Sequence, residues 1–193
     1  LVGSEMWIRD RDQIIKAYEA AKARYAETGV DTDAALAALQ RISLSLHCWQ
    51  TDDVTGFENP DGQLTGGIQA TGNYPGKARN IDEVRADIEK AKSLIPGRHR
   101  LSLHAIYGDF KGKKVDRDQI EPEHFQSWID WARANDMKLD FNSTSFSHPK
   151  SGDLSLANPD KAVRDFWVEH TVRSRRIADE TVSYTHLTLP TIC

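Results

Sequence analysis

Residues 42–47 read ISLSLH, and residues 101–106 read LSLHAI. In the first run Ile42, Leu44 and Leu46 alternate with Ser43, Ser45 and His47. In the second, Leu101, Leu103 and Ala105 alternate with Ser102, His104 and Ile106. Successive side chains of an extended chain point to opposite sides, so strict alternation predicts a strand with one apolar face. A third run, Lys138 to Asn142, puts Leu139 and Phe141 on one face and Asp140 and Asn142 on the other.

Helical patterns fill the spaces between these runs. Ile81, Val84, Ile88, Ala91 and Ile95 share one face. Asn80 and Glu83 resemble a capping box, and Pro96-Gly97 ends the helix. Pro122 stands at a first helical position, Phe125, Trp128, Ile129 and Ala132 form the buried face, and Asn135 closes it. Asn158-Pro159 reads as a cap followed by proline, ahead of a face of Val163, Phe166, Trp167, His170 and Ile177. Two helices precede the first strand. One carries Ile14, Tyr18, Ala21 and Tyr25 within a charged run from Trp7 to Tyr25, stopped by Gly29. The other is capped by Asp31 and carries Ala35, Leu36 and Leu39.

The order is helix, helix, then strand–helix three times, which implies βαβ units and a parallel sheet. An open doubly wound sheet favours strands that are apolar on both faces. Here one face is Leu-rich and the other carries Ser45, Ser102 and Asp140, which suits a curved sheet facing a barrel interior. The predicted fold is α/β, the N-terminal part of a (β/α)8 TIM barrel. Residues 1–41 form a helical segment, residues 42–181 the first three βα units, and residues 182–193 a tail. The Leu faces are expected to lie under helices, with unpaired edges at the first and third strands.

The tail, VSYTHLTLPTIC, has no charge and follows the helical run Arg175 to Glu180. It resembles the translation of a common sequencing adapter, so it is expected to be foreign to the domain, with the natural chain continuing past Glu180. A genuine edge strand is the alternative. Leu1 to Glu5 are expected to precede a true start at Met6.

Composition narrows the function classes. The chain has 193 residues, 39% hydrophobic and 28% charged, a globular and not a disordered balance. A net charge of −4 argues against a nucleic-acid surface. No apolar run approaches the roughly 18 residues of a membrane span, and no signal peptide is visible. Cys48 and Cys193 are the only cysteines, which excludes a disulfide scaffold or multi-cysteine zinc site and fits a reducing cytosol.

Active sites of such barrels lie at the C-terminal strand ends. Period 2 then carries His47, His104 and Asn142 to one rim, either as functional groups or as hydrogen-bonded filler. Trp49, Tyr107 and Phe146 follow the three strands, and aromatic faces beside hydrogen-bonding groups suit sugars. For Tyr107, ordinary loop packing is an equal alternative. The glycine-rich stretch from Thr51 to Arg79 is long enough to suggest a lid. Within it, Gly72 to Lys77 fails as a phosphate loop, because Thr71 stands where the first glycine belongs and Ala78 follows Lys77. Asp52-Asp53 reads as a solvated pair. His124 and His170 read as helix-packing or surface residues, His99 as preceding its strand at the wrong end for catalysis, and His148 stays open.

The stretch SLHCWQTDDVTGFENPDGQLTGGIQATGNYPGKARN resembles the first strand and following loop of the bacterial L-rhamnose isomerases. LSLHAIYGD, IEPEHFQSWIDWARANDMKLDFNSTSFSHP and AVRDFWVEHTVRSRR continue the resemblance in order, across roughly Ala17 to Asp179. It implies a xylose-isomerase-like (β/α)8 barrel of about twice this length, a cytoplasmic homotetramer. It also implies interconversion of L-rhamnose and L-rhamnulose with a divalent metal, typically Mn²⁺, acting as a Lewis acid on the C1 and C2 oxygens. By resemblance His104 lies near the ring-opening end of the sugar, Trp49 and Phe146 line the pocket, and the loop around Phe57 covers it. With His47 and Asn142 these are the expected substrate-binding residues. No catalytic residue and no metal ligand is expected in this chain, since both sets belong to later strands. The chain is therefore expected to be an inactive fragment, prone to aggregation. A noncatalytic sugar-binding fragment, or an isomerase of another deoxysugar or hexose, are the alternatives. The only partner expected is a sugar, with no nucleic acid and no membrane.

Overall fold

The computed structural model describes residues 2–58, 76–152 and 154–181, with side chains from residue 11 onward. Most of the glycine-rich stretch and the whole tail lie outside the described residues. Two compact units form, residues 1–43 and residues 44–193.

The first unit contains α1 (Val2–Glu27) and α2 (Thr32–Leu39). Helix α1 begins five residues before Trp7, where the charged pattern places its start, because a single glycine at position 3 is tolerated in a helix. Gly29 ends the turn after α1 with φ +80°, a left-handed conformation that glycine adopts without penalty. Asp31 caps α2 as expected, its carboxylate accepting from the Ala34 N–H at 3.0 Å. Asp33 joins the two helices by accepting from the Tyr18 hydroxyl (3.0 Å) and the Lys22 ammonium (2.5 Å). The α2 face with Leu36 and Leu39 is exposed, and no residue of α2 is buried.

The second unit is built on a three-stranded sheet ordered β1 (Ser43–His47), β2 (Arg98–His104), β3 (Lys138–Asn142). Strands β2 and β3 pair in parallel, with Leu101 beside Leu139, Leu103 beside Phe141 and His104 beside Asn142. Helices α3 (Ile81–Leu94), α4 (Gln126–Ala134) and α5 (Lys161–Thr181) follow the strands in turn. Leu101, Leu103, Leu139 and Phe141 are buried with Val84 and Ile88 of α3, Phe125, Trp128, Ile129 and Ala132 around α4, and Ile177 and Ala178 of α5. The opposite face is polar, as the alternation requires. Ser45 donates to Asp140 at 2.7 Å, and Arg100 Nε donates to the other Asp140 oxygen at 2.7 Å. Asp140 thus reaches across β2 to tie all three strands on one side.

Several local expectations shift. Strand β2 starts at Arg98, so His99 lies within it and is buried, on the same face as Leu101. Ala105 and Ile106 leave the strand for a 3-10 turn, Ala105–Tyr107. The ladder groups there are taken by loops: the Ala105 N–H donates to Thr144 Oγ1, and the Ile106 carbonyl accepts from the Phe57 N–H. The capping pair at α3 is offset. Asn80 accepts from the Glu83 N–H, but the Glu83 carboxylate turns to the N–H and guanidinium of Arg79, one residue earlier. Helix α5 starts after Asn158-Pro159, because Asn158 accepts from the Asp160 N–H and Asp160 in turn accepts from Ala162. The Leu face of β1 is only partly covered, by the packing of Leu46 against the core. Leu44 is 41% exposed, and Leu46 lines an open groove of about 440 Å³ with Ile88, Ala91 and Leu94 of α3.

The two environments predict different mutational costs. Leu103→Ala, at full burial, should lose about 2–5 kcal/mol, and Leu44→Ala clearly less. Urea denaturation of the two variants measures both, and equal losses would contradict the burial assignment.

Candidate functional site

The three strand tips end in side chains of the same face. Strand β1 ends at His47 and turns into a 3-10 segment, Cys48–Gln50, which places Trp49 just beyond the tip. Strand β2 ends at His104. Strand β3 ends at Asn142, whose Oδ1 accepts from the Thr144 N–H at 2.8 Å and starts the loop that carries Phe146.

His104 is the centre of the cluster. Its ring centroid lies 4.6 Å from Trp49, 6.5 Å from His47 and 6.4 Å from Phe146. His47 also packs on Trp49 at 5.0 Å. Four of the six predicted residues therefore meet. Phe57 reaches the cluster indirectly, through Tyr107 at 5.6 Å. Asn142 stands beside His104 in the strand register, but its side-chain oxygen is committed to the loop turn.

The imidazole of His104 is 1% exposed, so it lies beneath the aromatic rings and not in an open mouth. Its Nδ1 is 3.3 Å from Thr144 Oγ1. Its Nε2, and Nε1 of Trp49, have no hydrogen-bond partner among the described residues. Burial, and then the neighbouring His47, push the His104 pKa down to about 4, so the ring is neutral at physiological pH.

A buried layer supports the rim. Asp52 is 1% exposed and accepts from the Tyr107 hydroxyl and from the Gly56 N–H at 2.8 Å. Burial raises the Asp52 carboxyl and, together with the Cys48 thiol and the Asp52 carboxylate, the Tyr107 phenol. Asp53 is buried too, so the expected solvated acidic pair is corrected: both residues are turned inward. Tyr107 is fully buried and its carbonyl accepts from Trp128 Nε1 at 2.7 Å, which makes it a support of the rim. Gly56 has φ +66°, and a Cβ there would meet Ile106 at 2.6 Å, so only glycine lets this segment lie on β2's exit. Cys48 is buried, and burial raises its thiol well above the ordinary range.

His124, His148 and His170 make packing and hydrogen-bond contacts. His170 is buried, with Nδ1 2.8 Å from the Arg117 carbonyl and Nε2 facing the Ser143 carbonyl. His124 Nδ1 accepts from the Glu121 N–H. His148 stacks on Phe166 at 5.0 Å, with Nε2 3.0 Å from Asp116. The residue that sequence reasoning missed is Arg117. It stands between Asp116 and Asp118 in the sequence, yet it is 1% exposed and pairs with Glu58 at 2.6 Å. No local pattern signals that burial. Among the described residues no group of three or more His, Cys, Asp or Glu is placed to hold a metal ion, so these residues do not fit a Mn²⁺ centre. No helix among them is long and apolar enough to cross a membrane.

Fold and rim together define an α/β protein whose parallel strands present aromatic-flanked hydrogen-bonding groups at their tips. Comparison with known proteins makes the assignment particular. The family model for L-rhamnose isomerase (RhaA) matches residues 12–190, and the chain belongs to that family. It is 68% identical over 173 residues to an L-rhamnose isomerase of Bacteroides thetaiotaomicron, covering 90% of this chain and 41% of that protein. It is 57% identical over 167 residues to one of Shigella flexneri, covering 86% of this chain and 40% of that protein. The chain thus spans about two fifths of the length of the curated relatives it matches.

A depressed histidine pKa couples to stability with a defined sign. Between about pH 4 and 6.5 the unfolded chain binds a proton at His104 that the folded chain does not. Stability should therefore fall as pH drops through that window, by about 3 kcal/mol for this group at full effect. His104→Gln should flatten the slope in urea denaturation at pH 4.5 and 7, and an unchanged slope would refute the assignment.

Proposed function

We propose that this chain is the N-terminal part of a (β/α)8 aldose–ketose isomerase that interconverts L-rhamnose and L-rhamnulose, and that it supplies the sugar-contacting rim. One observation carries the reading. In a chain of this family, two adjacent rings, His104 and Trp49, hold unpartnered nitrogens inside an aromatic cluster. A buried polar group without a partner costs about 1–3 kcal/mol. A sugar hydroxyl would remove that cost, and the faces of Trp49 and Phe146 suit the C–H side of a pyranose. The polar inner face of Ser45, Arg100 and Asp140 supports a barrel interior.

In this reading Thr144 holds His104 through Nδ1 and leaves Nε2 for the sugar. Because the ring is neutral, its Nε2 can hydrogen-bond a ring or C1 oxygen at the ring-opening end of the sugar. Trp49 Nε1 donates to a second hydroxyl. Phe57 and Phe146 exclude water from the same space. His47 and Asn142 shape its edge. A divalent metal, Mn²⁺ by family kinship, would polarise the sugar oxygens when bound. The described residues offer it no ligand set, so no step is assigned to it on this chain. The whole enzyme is read as a cytoplasmic homotetramer.

This assignment separates binding from turnover. The 193-residue chain should bind L-rhamnose saturably without metal, seen as a change in tryptophan fluorescence, and should not turn it over with Mn²⁺. Residues 1–181 joined to the remainder of the Bacteroides thetaiotaomicron relative should form L-rhamnulose. In that fusion His104→Ala should lower kcat/KM by about 10- to 100-fold. An inactive fusion would reject the isomerase reading, and turnover by the short chain would reject its fragment status. Faster turnover of another deoxysugar or hexose by the fusion would reject L-rhamnose as the substrate.

A further inference from the structure

We propose that Arg117 is a positioning residue: one buried guanidinium that locks the segment bearing Phe57 to the loop bearing Phe146, so that two walls of the rim are held or released together. All five N–H donors of the side chain are placed. Nε and Nη2 grip the Glu58 carboxylate in a fork, at 2.9 and 2.6 Å. Nη1 donates to the carbonyls of Thr144 (2.5 Å) and Phe146 (2.6 Å), and Nη2 also donates to that of Ser147 (3.3 Å). Glu58 directly follows Phe57, and the three carbonyls bracket Phe146. Arg117 itself is fixed at both ends of its backbone: its N–H donates to Asp116 Oδ1 at 2.8 Å, and its carbonyl lies 2.8 Å from His170 Nδ1.

The conformation of the loop supports this role. Thr144 and Ser147 have φ of +57° and +54°, a region that side-chain-bearing residues avoid unless their surroundings enforce it. Those turns bring several carbonyls to one point, where their dipoles would repel each other without a cation between them. Arginine meets that need and lysine does not, because only the planar fork reaches a carboxylate and several carbonyls at once. Thr144 also contacts His104 Nδ1, so the same clamp bears on the imidazole through one intermediate residue. The consequence for sugar binding rests on the isomerase reading; the clamp rests on the geometry alone.

Amide hydrogen exchange tests the clamp without any activity. In the 1–181 fusion, Arg117→Lys should speed exchange at residues 54–58 and 143–148 together, by about tenfold or more, while residues 101–103 and 139–141 stay protected. Glu58→Gln keeps the arginine and provides the decision if Arg117→Lys fails to fold. It should loosen both segments as well. Loosening of only one segment, or of neither, would overturn the clamp. In an active fusion, Glu58→Gln should raise KM for L-rhamnose about tenfold and leave kcat within about twofold. An unchanged KM in a variant with both segments loosened would overturn the positioning role. An unsubstituted fusion without turnover would instead count against the isomerase reading, and the exchange result would still decide the clamp.

Discussion

The parallel register of β2 and β3 places Leu101 beside Leu139 and His104 beside Asn142, and the remaining features follow from that pairing. A strand has only two faces. Once Leu101, Leu103, Leu139 and Phe141 are buried under the helices, Arg100, Ser102, His104 and Asp140 must face the other way. A slip by one residue would put charge under α4 and leucine on the polar side. The ties from Ser45 and Arg100 to Asp140 hold the register from that polar side. The strand tips then present their polar residues at one rim because the parity is the same in all three strands.

The electrostatics of that rim differ from those of most polar clusters. His104 is surrounded by aromatic rings and kept neutral by burial. Among the described residues no carboxylate pairs with its ring to offset the cost of charging it. A neutral imidazole can donate or accept, which matches a hydroxyl better than a charged ligand. The buried Asp52 carboxylate is turned to the Tyr107 hydroxyl and the Gly56 N–H. Its function is to seat the chain leaving β1 against the exit of β2.

Two anchors of different chemistry thus serve the two loops. Asp52 and Gly56 settle the chain after β1 by backbone and hydroxyl contacts, and Gly56 is required because Ile106 leaves no space for a side chain. Arg117 ties the next residues, at Glu58, to the loop after β3 by a charge-assisted fork. The loops carry aromatic residues that regular structure does not constrain, so their placement depends on these buried polar contacts.

The strands, the three helices behind them and the shared parity of His47, His104 and Asn142 were legible in the amino-acid pattern, because periods of 2 and 3.6 are local properties of the chain. The family resemblance was legible in HCWQ and in the GGIQATGNYPGKARN stretch, although much of that second stretch lies outside the described residues. Other features were decided only by the tertiary structure. The exit of β2 became a turn because loop groups took its backbone partners. The Asp52-Asp53 pair went inward, and a charged triplet turned out to contain the buried Arg117. Leu44 kept an exposed face despite an apolar pattern identical to that of its neighbour strand. Alternation states which residues share a side, but burial depends on which atoms from distant segments come to cover them, and that information is not carried by any local stretch of the chain.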